Sequence, residues 1–147
     1  MKGIFPIEKF ETLKTPFYYY DLDLLRKTIE AIHHEIKNRE NFCVHYAVKA
    51  NANPKILKVI RESELGVDCV SGGEITASLK AGFPSEKIVY AGVGKSDWEI
   101  ELGLKHDIFC FNVESLAELI IINDLAQEND KIAHVALRVN PEVGAHT

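Results

Sequence analysis

Lys49 is the residue of this sequence best placed to do chemistry. It ends the run His45-Tyr46-Ala47-Val48-Lys49-Ala50-Asn51, where a β-forming stretch meets a lysine and then Ala-Asn-Ala-Asn-Pro, a turn into a helix. In a parallel α/β sheet, ligands bind beyond the carboxyl ends of the strands, which is where such a lysine falls. Side chains alternate along a strand, so Lys49, Ala47 and His45 share one face while Val48, Tyr46 and Val44 share the other. The apolar Val44/Val48 face suits packing under helices, which turns Lys49 toward a barrel interior. A lysine held there could shed its proton and attack a carbonyl, as a Schiff base requires. The alternative is a solvated lysine at a strand end, and spacing alone leaves both open.

Two further segments carry charge where an apolar strand is expected. In Gly66-Val67-Asp68-Cys69-Val70-Ser71-Gly72-Gly73-Glu74, Asp68 interrupts the strand and Ser71–Glu74 forms the turn into the next helix. Glycines at a helix start can offer backbone N–H groups to an anion, although Glu74 would oppose a phosphate there. A carboxylate in mid-strand needs a partner if it is buried; otherwise Asp68 faces water. In Leu137-Arg138-Val139-Asn140-Pro141 an arginine stands among apolar residues. Buried arginine is rare unless paired, so Arg138 either holds a carboxylate near Lys49, Asp68 and Glu74 or makes a structural ion pair. Gly94-Lys95-Ser96 fails as a Walker A ending because Val89 stands where its glycine should. Gly92-Val93-Gly94 fails as a dinucleotide fingerprint, with Asp97 in the last glycine's place. The six histidines show no ligand spacing with carboxylates or cysteines, and no metal is expected.

The elements that must position these residues follow a regular beat. Apolar, β-branched runs at 43–48, 65–70, 87–91, 107–111 and 132–139 start 22, 22, 20 and 25 residues apart, with helical patterns between them. Such alternation predicts a parallel sheet, since each return to the same edge needs a helical crossover. Asp21 or Asp23 caps a helix with the stripe Leu22, Leu25, Ile29, Ile32, Ile36. Asn53-Pro54 opens a helix to Glu62; Gly73 precedes one that Gly82 and Pro84 stop. Ser96–Glu99 has capping-box spacing and starts a helix to about Lys105. Leu116, Leu119, Ile120 and Asn123 mark a last helix, which ends before Gln127–Lys131. No sequence motif is expected to recur from unit to unit. Two architectures fit: an open doubly wound sheet, or the first part of a (β/α)8 barrel, which typically needs about 250 residues. On the barrel reading the 147-residue chain is expected to be a fragment.

Composition narrows the class. The chain is 46% hydrophobic and 27% charged, with 17 basic and 22 acidic residues and a net charge of −5. Those are globular proportions, and the acidic balance without a basic stripe argues against nucleic acid. No apolar run approaches a membrane span and no signal-peptide pattern opens the chain, so a cytoplasmic location is expected. Cys43, Cys69 and Cys110 are far apart, odd in number and set in apolar runs, so all three are expected to be core thiols.

Four ordered segments carry a family resemblance: Thr15-Pro16-Phe17-Tyr18-Tyr19-Tyr20-Asp21, Tyr46–Asn51, Gly66–Glu74 and Leu137–Pro141. Together they resemble the amino-terminal part of the diaminopimelate decarboxylases, within the fold-type III, pyridoxal-phosphate-dependent amino-acid decarboxylases. The resemblance covers essentially the whole chain. Val-Lys-Ala-Asn followed by Ala-Asn-Pro, and the Val-Ser-Gly-Gly-Glu turn, look more like these enzymes than the ornithine or arginine enzymes. Alanine racemases share the Val-Lys-Ala-Asn run but continue with a Tyr-Gly-His pattern that is absent here.

The resemblance implies an incomplete (β/α)8 TIM barrel over residues 22–147. It also implies that residues 1–21 are an opening segment and strand lying with a β-rich second domain. Lys49 matches the lysine that bonds pyridoxal 5'-phosphate, and Ala47, Asp68, Glu74 and Arg138 match positions around it. The implied reaction is decarboxylation of meso-2,6-diaminopimelate, a small amino-acid substrate, to L-lysine by a homodimer in lysine biosynthesis. The family's remaining cofactor-binding residues fall after residue 147, so the lone chain is expected to be inactive. The competing expectation is a non-catalytic homologue that binds a full-length decarboxylase.

Overall fold

Parallel strands cannot be joined by tight turns, and the spacing of the apolar runs is realised as five strands with helices between them. The computed structural model describes residues 3–39 and 41–141. The chain forms two compact units, Met1–Phe42 and Cys43–Thr147.

The first unit holds a short helix α1 (Ile7–Phe10) and the helix α2 (Leu22–Ile36). Asp21 caps α2: its carboxylate accepts from the Leu24 N–H at 2.9 Å and the Ile4 N–H at 3.0 Å. The Leu24 bond, followed by that from Ile4, holds the Asp21 carboxyl below its ordinary value. The expected stripe Leu22, Leu25, Ile29, Ile32, Ile36 is the least exposed face of α2. Phe10 packs on Phe17 and Tyr19, with ring centroids 5.3 and 5.1 Å apart. Among the described residues, Thr15–Asp21 pairs with no strand.

The second unit alternates strictly: β1 (His45–Ala47), α3 (Pro54–Glu62), β2 (Gly66–Cys69), α4 (Gly72–Lys80), β3 (Ile88–Tyr90), α5 (Asp97–Lys105), β4 (Cys110–Val113), α6 (Leu116–Glu128) and β5 (Val135–Leu137). All neighbouring strands are parallel, in the spatial order β1-β2-β3-β4-β5. This order decides between the two expected architectures. A doubly wound sheet reverses its strand order at a switch point and covers both faces with helices. Here the order never reverses and burial is one-sided. Val67, Cys69, Ile88, Tyr90, Phe111 and Val113 are buried on the helix side. On the opposite face Ala47, Asp68, Val89 and Asn112 are only half-buried, and the buried positions, Gly66 and Cys110, are the first residues of β2 and β4. Consecutive winding with helices on one side is that of a (β/α)8 barrel.

Several local expectations need correction. Cys69 and Cys110 are buried thiols, but Cys43 is exposed. It precedes β1, which is shorter than the apolar run and has one strand neighbour, so among the described residues it does not become a covered core position. The fourth strand lies at Cys110–Val113 rather than 107–111. Asp107 adopts φ 50° and closes α5, and the Phe109 N–H reaches the Ser85 and Ile88 carbonyls across at β3, so the paired strand begins only at Cys110. The last helix runs to Glu128, beyond its expected end. Gly82, with φ 84°, does close the α4 segment as a helix-stopping glycine.

Gly103 shows how tightly α5 sits on the sheet. A Cβ at this position would stand 2.7 Å from the tip of the buried Phe111 ring and 3.0 Å from Ile108 Cδ1. In an exposed helix, glycine to alanine gains about 1 kcal/mol of helix propensity. Here that gain is opposed by overpacking against a rigid buried ring, which typically costs about 1–3 kcal/mol. Gly103→Ala is therefore expected to lower the urea midpoint of the protein; a raised midpoint would show that the α5–β4 contact yields freely.

Candidate functional site

The turn that carries Lys49 is pinned on both sides. Val48 is fully buried, and residues Val48–Ala50 form a single 3-10 turn closed by the Asn51 N–H on the Val48 carbonyl at 3.1 Å. The Tyr46 hydroxyl donates to the Asn51 carbonyl at 3.1 Å, and the Asn51 side chain accepts from the Asn53 N–H at 2.9 Å. Asn53 in turn caps α3, where Pro54 takes a first-turn position. Lys49 thus sits in the turn just past β1 rather than in the strand itself. Its side chain is exposed and has no hydrogen-bond or ion-pair partner among the described residues.

Ala47 ends β1 opposite Asp68 in the β1–β2 register. Asp68 is half-buried on the open face of the sheet, and its Oδ1 is buried with no hydrogen-bond partner among the described residues. An orphaned carboxylate oxygen is costly unless a donor comes to it, and the neighbouring turn carries an unpartnered ammonium. His45 lies toward the amino end of the same face, its ring stacked on Phe109 and crowding Gly66. Burial pushes the His45 imidazole below its ordinary value; the Asp68 carboxylate pulls the other way, and Lys87 adds to the lowering.

The remaining turns are locked by a motif that recurs in three successive units: Ser71-x-x-Glu74, Ser96-x-x-Glu99 and Ser115-x-x-Glu118. The expectation of no shared motif was wrong. The Ser71 and Ser115 hydroxyls accept from the N–H groups of Glu74 and Glu118 at 3.2 Å each, and Ser96 with Glu99 forms a reciprocal capping box. Glu74 Oε2 accepts from the Val70 N–H at 2.8 Å, so this oxygen closes its own turn. Glu99 Oε2 accepts from the Ser96 N–H and hydroxyl, while Oε1 reaches back to the Gly72 N–H at 2.6 Å. The glycine turn is therefore not left open to an anion at Gly72. Glu118 repeats the arrangement: Oε2 accepts from the Glu114 N–H at 2.8 Å, and Oε1 pairs with Lys95 Nζ at 2.5 Å.

Lys95, dismissed as a phosphate-loop lysine, is only 1% exposed. Its ammonium donates to the Gly92 and Asn112 carbonyls at 2.8 Å each as well as to Glu118, and it lies 5.2 Å from the centre of the Tyr90 ring. Arg138 is not a buried strand residue. It lies just past β5, 60% exposed, and its Nη1 donates to Glu114 Oε2 at 2.8 Å. The sheet thus gathers Lys49, Ala47, Asp68, Glu74 and Arg138 toward its carboxyl end, with Arg138 three strands away from β2. Sequence reasoning missed Glu114 and Glu118, read Glu99 only as a helix cap, and passed over Lys95 once it failed as a phosphate-loop lysine; what it missed in all four is their part in the rim. The recurring Ser-x-x-Glu spacing was a signal for two of them.

The chain thus presents a consecutively wound parallel sheet with a lysine that has no partner among the described residues in its first βα turn and an orphaned carboxylate oxygen on the next strand. Residues 22–147 match the family model described as pyridoxal-dependent decarboxylase, pyridoxal binding domain, and the chain belongs to that family. It is 66% identical over all 147 residues to the diaminopimelate decarboxylase of Bacteroides thetaiotaomicron, covering 38% of that protein. It is 38% identical over 131 residues to an L-glutamyl-[BtrI acyl-carrier protein] decarboxylase of Niallia circulans, 88% of this chain and 30% of the relative. A solved Helicobacter pylori diaminopimelate decarboxylase complexed with L-lysine matches with TM-score 0.88 and 44% identity, over 96% of this chain and 36% of that one. The chain spans about a third of the length of the curated relatives it matches.

Glu99 makes the rim sensitive to acid. Burial alone would raise its carboxyl, but hydrogen bonds from Gly72, Ser96 and the Tyr90 hydroxyl outweigh burial and hold it down at about 2, from an ordinary 4.5. A depressed carboxylate contributes stability that is fully present above its unfolded value and is lost as pH falls toward the folded one. Glu99→Gln is expected to cost about 1–3 kcal/mol at neutral pH. In urea titrations the gap between wild type and variant should narrow as pH drops from about 4.5 toward 2. A gap that stays constant would mean that the carboxylate charge does not hold the rim.

Proposed function

We propose that the whole protein to which this chain belongs is a pyridoxal 5'-phosphate-dependent decarboxylase that converts meso-2,6-diaminopimelate to L-lysine and carbon dioxide. The observation that carries the reading is the Lys49 amine. It is exposed just past the carboxyl end of β1, with no partner among the described residues, and the orphaned Asp68 Oδ1 lies on the neighbouring strand. These residues fit a carbonyl cofactor: Lys49 supplies the amine that bonds it, and Asp68 supplies an acceptor for the ammonium when that bond is exchanged. When bound, pyridoxal phosphate supplies the electron sink for the pair left by the departing carboxylate. Ala47, small and opposite Asp68, leaves room on this face, and Glu74 orders the turn after β2 beside it. Arg138 presents a guanidinium at the rim, where it orients an anionic group of the cofactor or substrate.

The substrate assignment draws on the relatives named diaminopimelate decarboxylase, one of them solved with L-lysine. In the overall change one carboxylate leaves as carbon dioxide and a proton takes its place. We further propose that residues 1–21 belong with a second domain, and that the whole protein acts in the cytoplasm as a homodimer.

Borohydride treatment of the full-length protein with pyridoxal phosphate, followed by peptide mass spectrometry, is expected to find the cofactor fixed on Lys49. Lys49→Ala should lose both that label and the visible absorbance of bound cofactor. It should also reduce carbon dioxide release from meso-diaminopimelate by several orders of magnitude. A label on another residue would overturn the site, and release from ornithine but not from diaminopimelate would overturn the substrate.

A further inference from the structure

Four glutamates, Glu74, Glu99, Glu114 and Glu118, stand around the carboxyl end of the sheet, and one of them is used differently. Glu74 and Glu99 close backbone N–H groups, and Glu118 neutralises the buried Lys95. Glu114 instead extends its Oε2 to the guanidinium of Arg138 at 2.8 Å, while its Oε1 takes only a longer bond, 3.3 Å, from the Gly92 N–H. Arg138 is 60% exposed and Glu114 only 13%. An exposed arginine explores many rotamers, and a surface ion pair by itself restrains it weakly. Glu114 is a firm anchor because its own backbone is held: Glu118 Oε2 accepts its N–H, and Glu118 is pinned by Lys95, which is 1% exposed. Arg138 is further tied by its backbone N–H to the Val113 carbonyl at 2.9 Å. The guanidinium has five N–H donors, and the Glu114 bond is its one ionic contact among the described residues, so a fork remains for an anion.

We propose that Glu114 is a positioning residue: through its bond to Arg138 it aims that guanidinium at an anionic group of the bound cofactor or substrate, with the Lys95–Glu118 pair as the fixed base. This deepens the proposed function and rests on it. The shared chemistry is an oxyanion, either the cofactor's phosphate or a carboxylate of the amino-acid substrate, and the two are separable by measurement.

Full-length proteins carrying Glu114→Ala, Arg138→Ala or both would be titrated with pyridoxal phosphate by visible absorbance. Each would also be assayed with meso-diaminopimelate for KM and kcat. Glu114→Ala is expected to weaken one of the two ligands about tenfold, the worth of a hydrogen bond to a charged group. A change in Kd for pyridoxal phosphate assigns the cofactor; a change in KM with Kd unaltered assigns the substrate carboxylate. In either arm the loss should vanish in the Arg138→Ala background, since Glu114 acts only through that side chain. Glu114→Gln, which keeps an acceptor for Gly92 and Arg138, should recover part of the loss and guards against a variant that does not fold. Wild-type Kd and KM in Glu114→Ala, or a loss of equal size with and without Arg138, overturns the positioning role while leaving the proposed function intact. Failure of the wild-type protein to bind pyridoxal phosphate overturns both.

Discussion

A parallel strand that ends at the rim of a sheet hands the chain to a helix whose first N–H groups have no partners inside it. In this protein those groups, and the turns that precede them, are closed by carboxylates from the first turn of the helices. Ser71, Ser96 and Ser115 cap three helices, and Glu74, Glu99 and Glu118 fold back onto the turns. Glu99 and Glu118 also spend their second oxygen on the preceding unit, at Gly72 and Lys95. The starts of α5 and α6 are thereby tied to the turns before them, and this part of the rim becomes a continuous structure rather than a row of separate loops. Everything proposed for the site depends on that stiffness, because a side chain aimed from a loose loop would lose most of its orienting value.

The contrast between two lysines shows what the rim does. Lys95 and Lys49 both stand in βα turns, yet only one is chemically spent. Lys95 donates to two carbonyls and a carboxylate in a site closed to solvent. A buried ammonium with all its donors satisfied is a staple, since moving it would strand both charges. Lys49 has its backbone fixed by Val48, Tyr46 and Asn51, while its amine meets no partner among the described residues. A fixed stem with a free amine is what covalent chemistry on a carbonyl asks of a lysine. The orphaned oxygen of Asp68 lies on the neighbouring strand, and the role proposed for it is to accept from that amine.

One-sided burial carries the same division of labour through the sheet. The helix-facing residues Val67, Cys69, Ile88, Tyr90, Phe111 and Val113 are packed away and supply the hydrophobic driving force. Burial pushes the Cys69 thiol up to about 11, which keeps it an unreactive core group. The other face keeps its polar residues half-buried, where a carboxylate and an imidazole can face a ligand. Stability and chemistry are thus assigned to opposite sides of the same strands, by the alternation of side chains along each of them.

Strand and helix positions, the parallel sheet and the placement of Lys49 and Asp68 near one end of it were legible in the sequence, because they rest on local periodicity and on caps within a few residues. Residue pairing was not. The partner of Arg138 is Glu114, 24 residues away, and that of Lys95 is Glu118, 23 residues away. Nothing in the local pattern distinguishes a lysine that meets a carboxylate across a strand from one that meets none. Periodicity could not choose between doubly wound and consecutively wound sheets, since both have the same alternation and differ only in where each strand is laid; the family resemblance pointed to the barrel, and the strand order bears it out. By itself, then, the sequence determined which segments become strands and helices and which residue types reach the rim. Tertiary structure alone decided which charges neutralise each other and which stay available, because that depends on register and winding between units far apart in the chain.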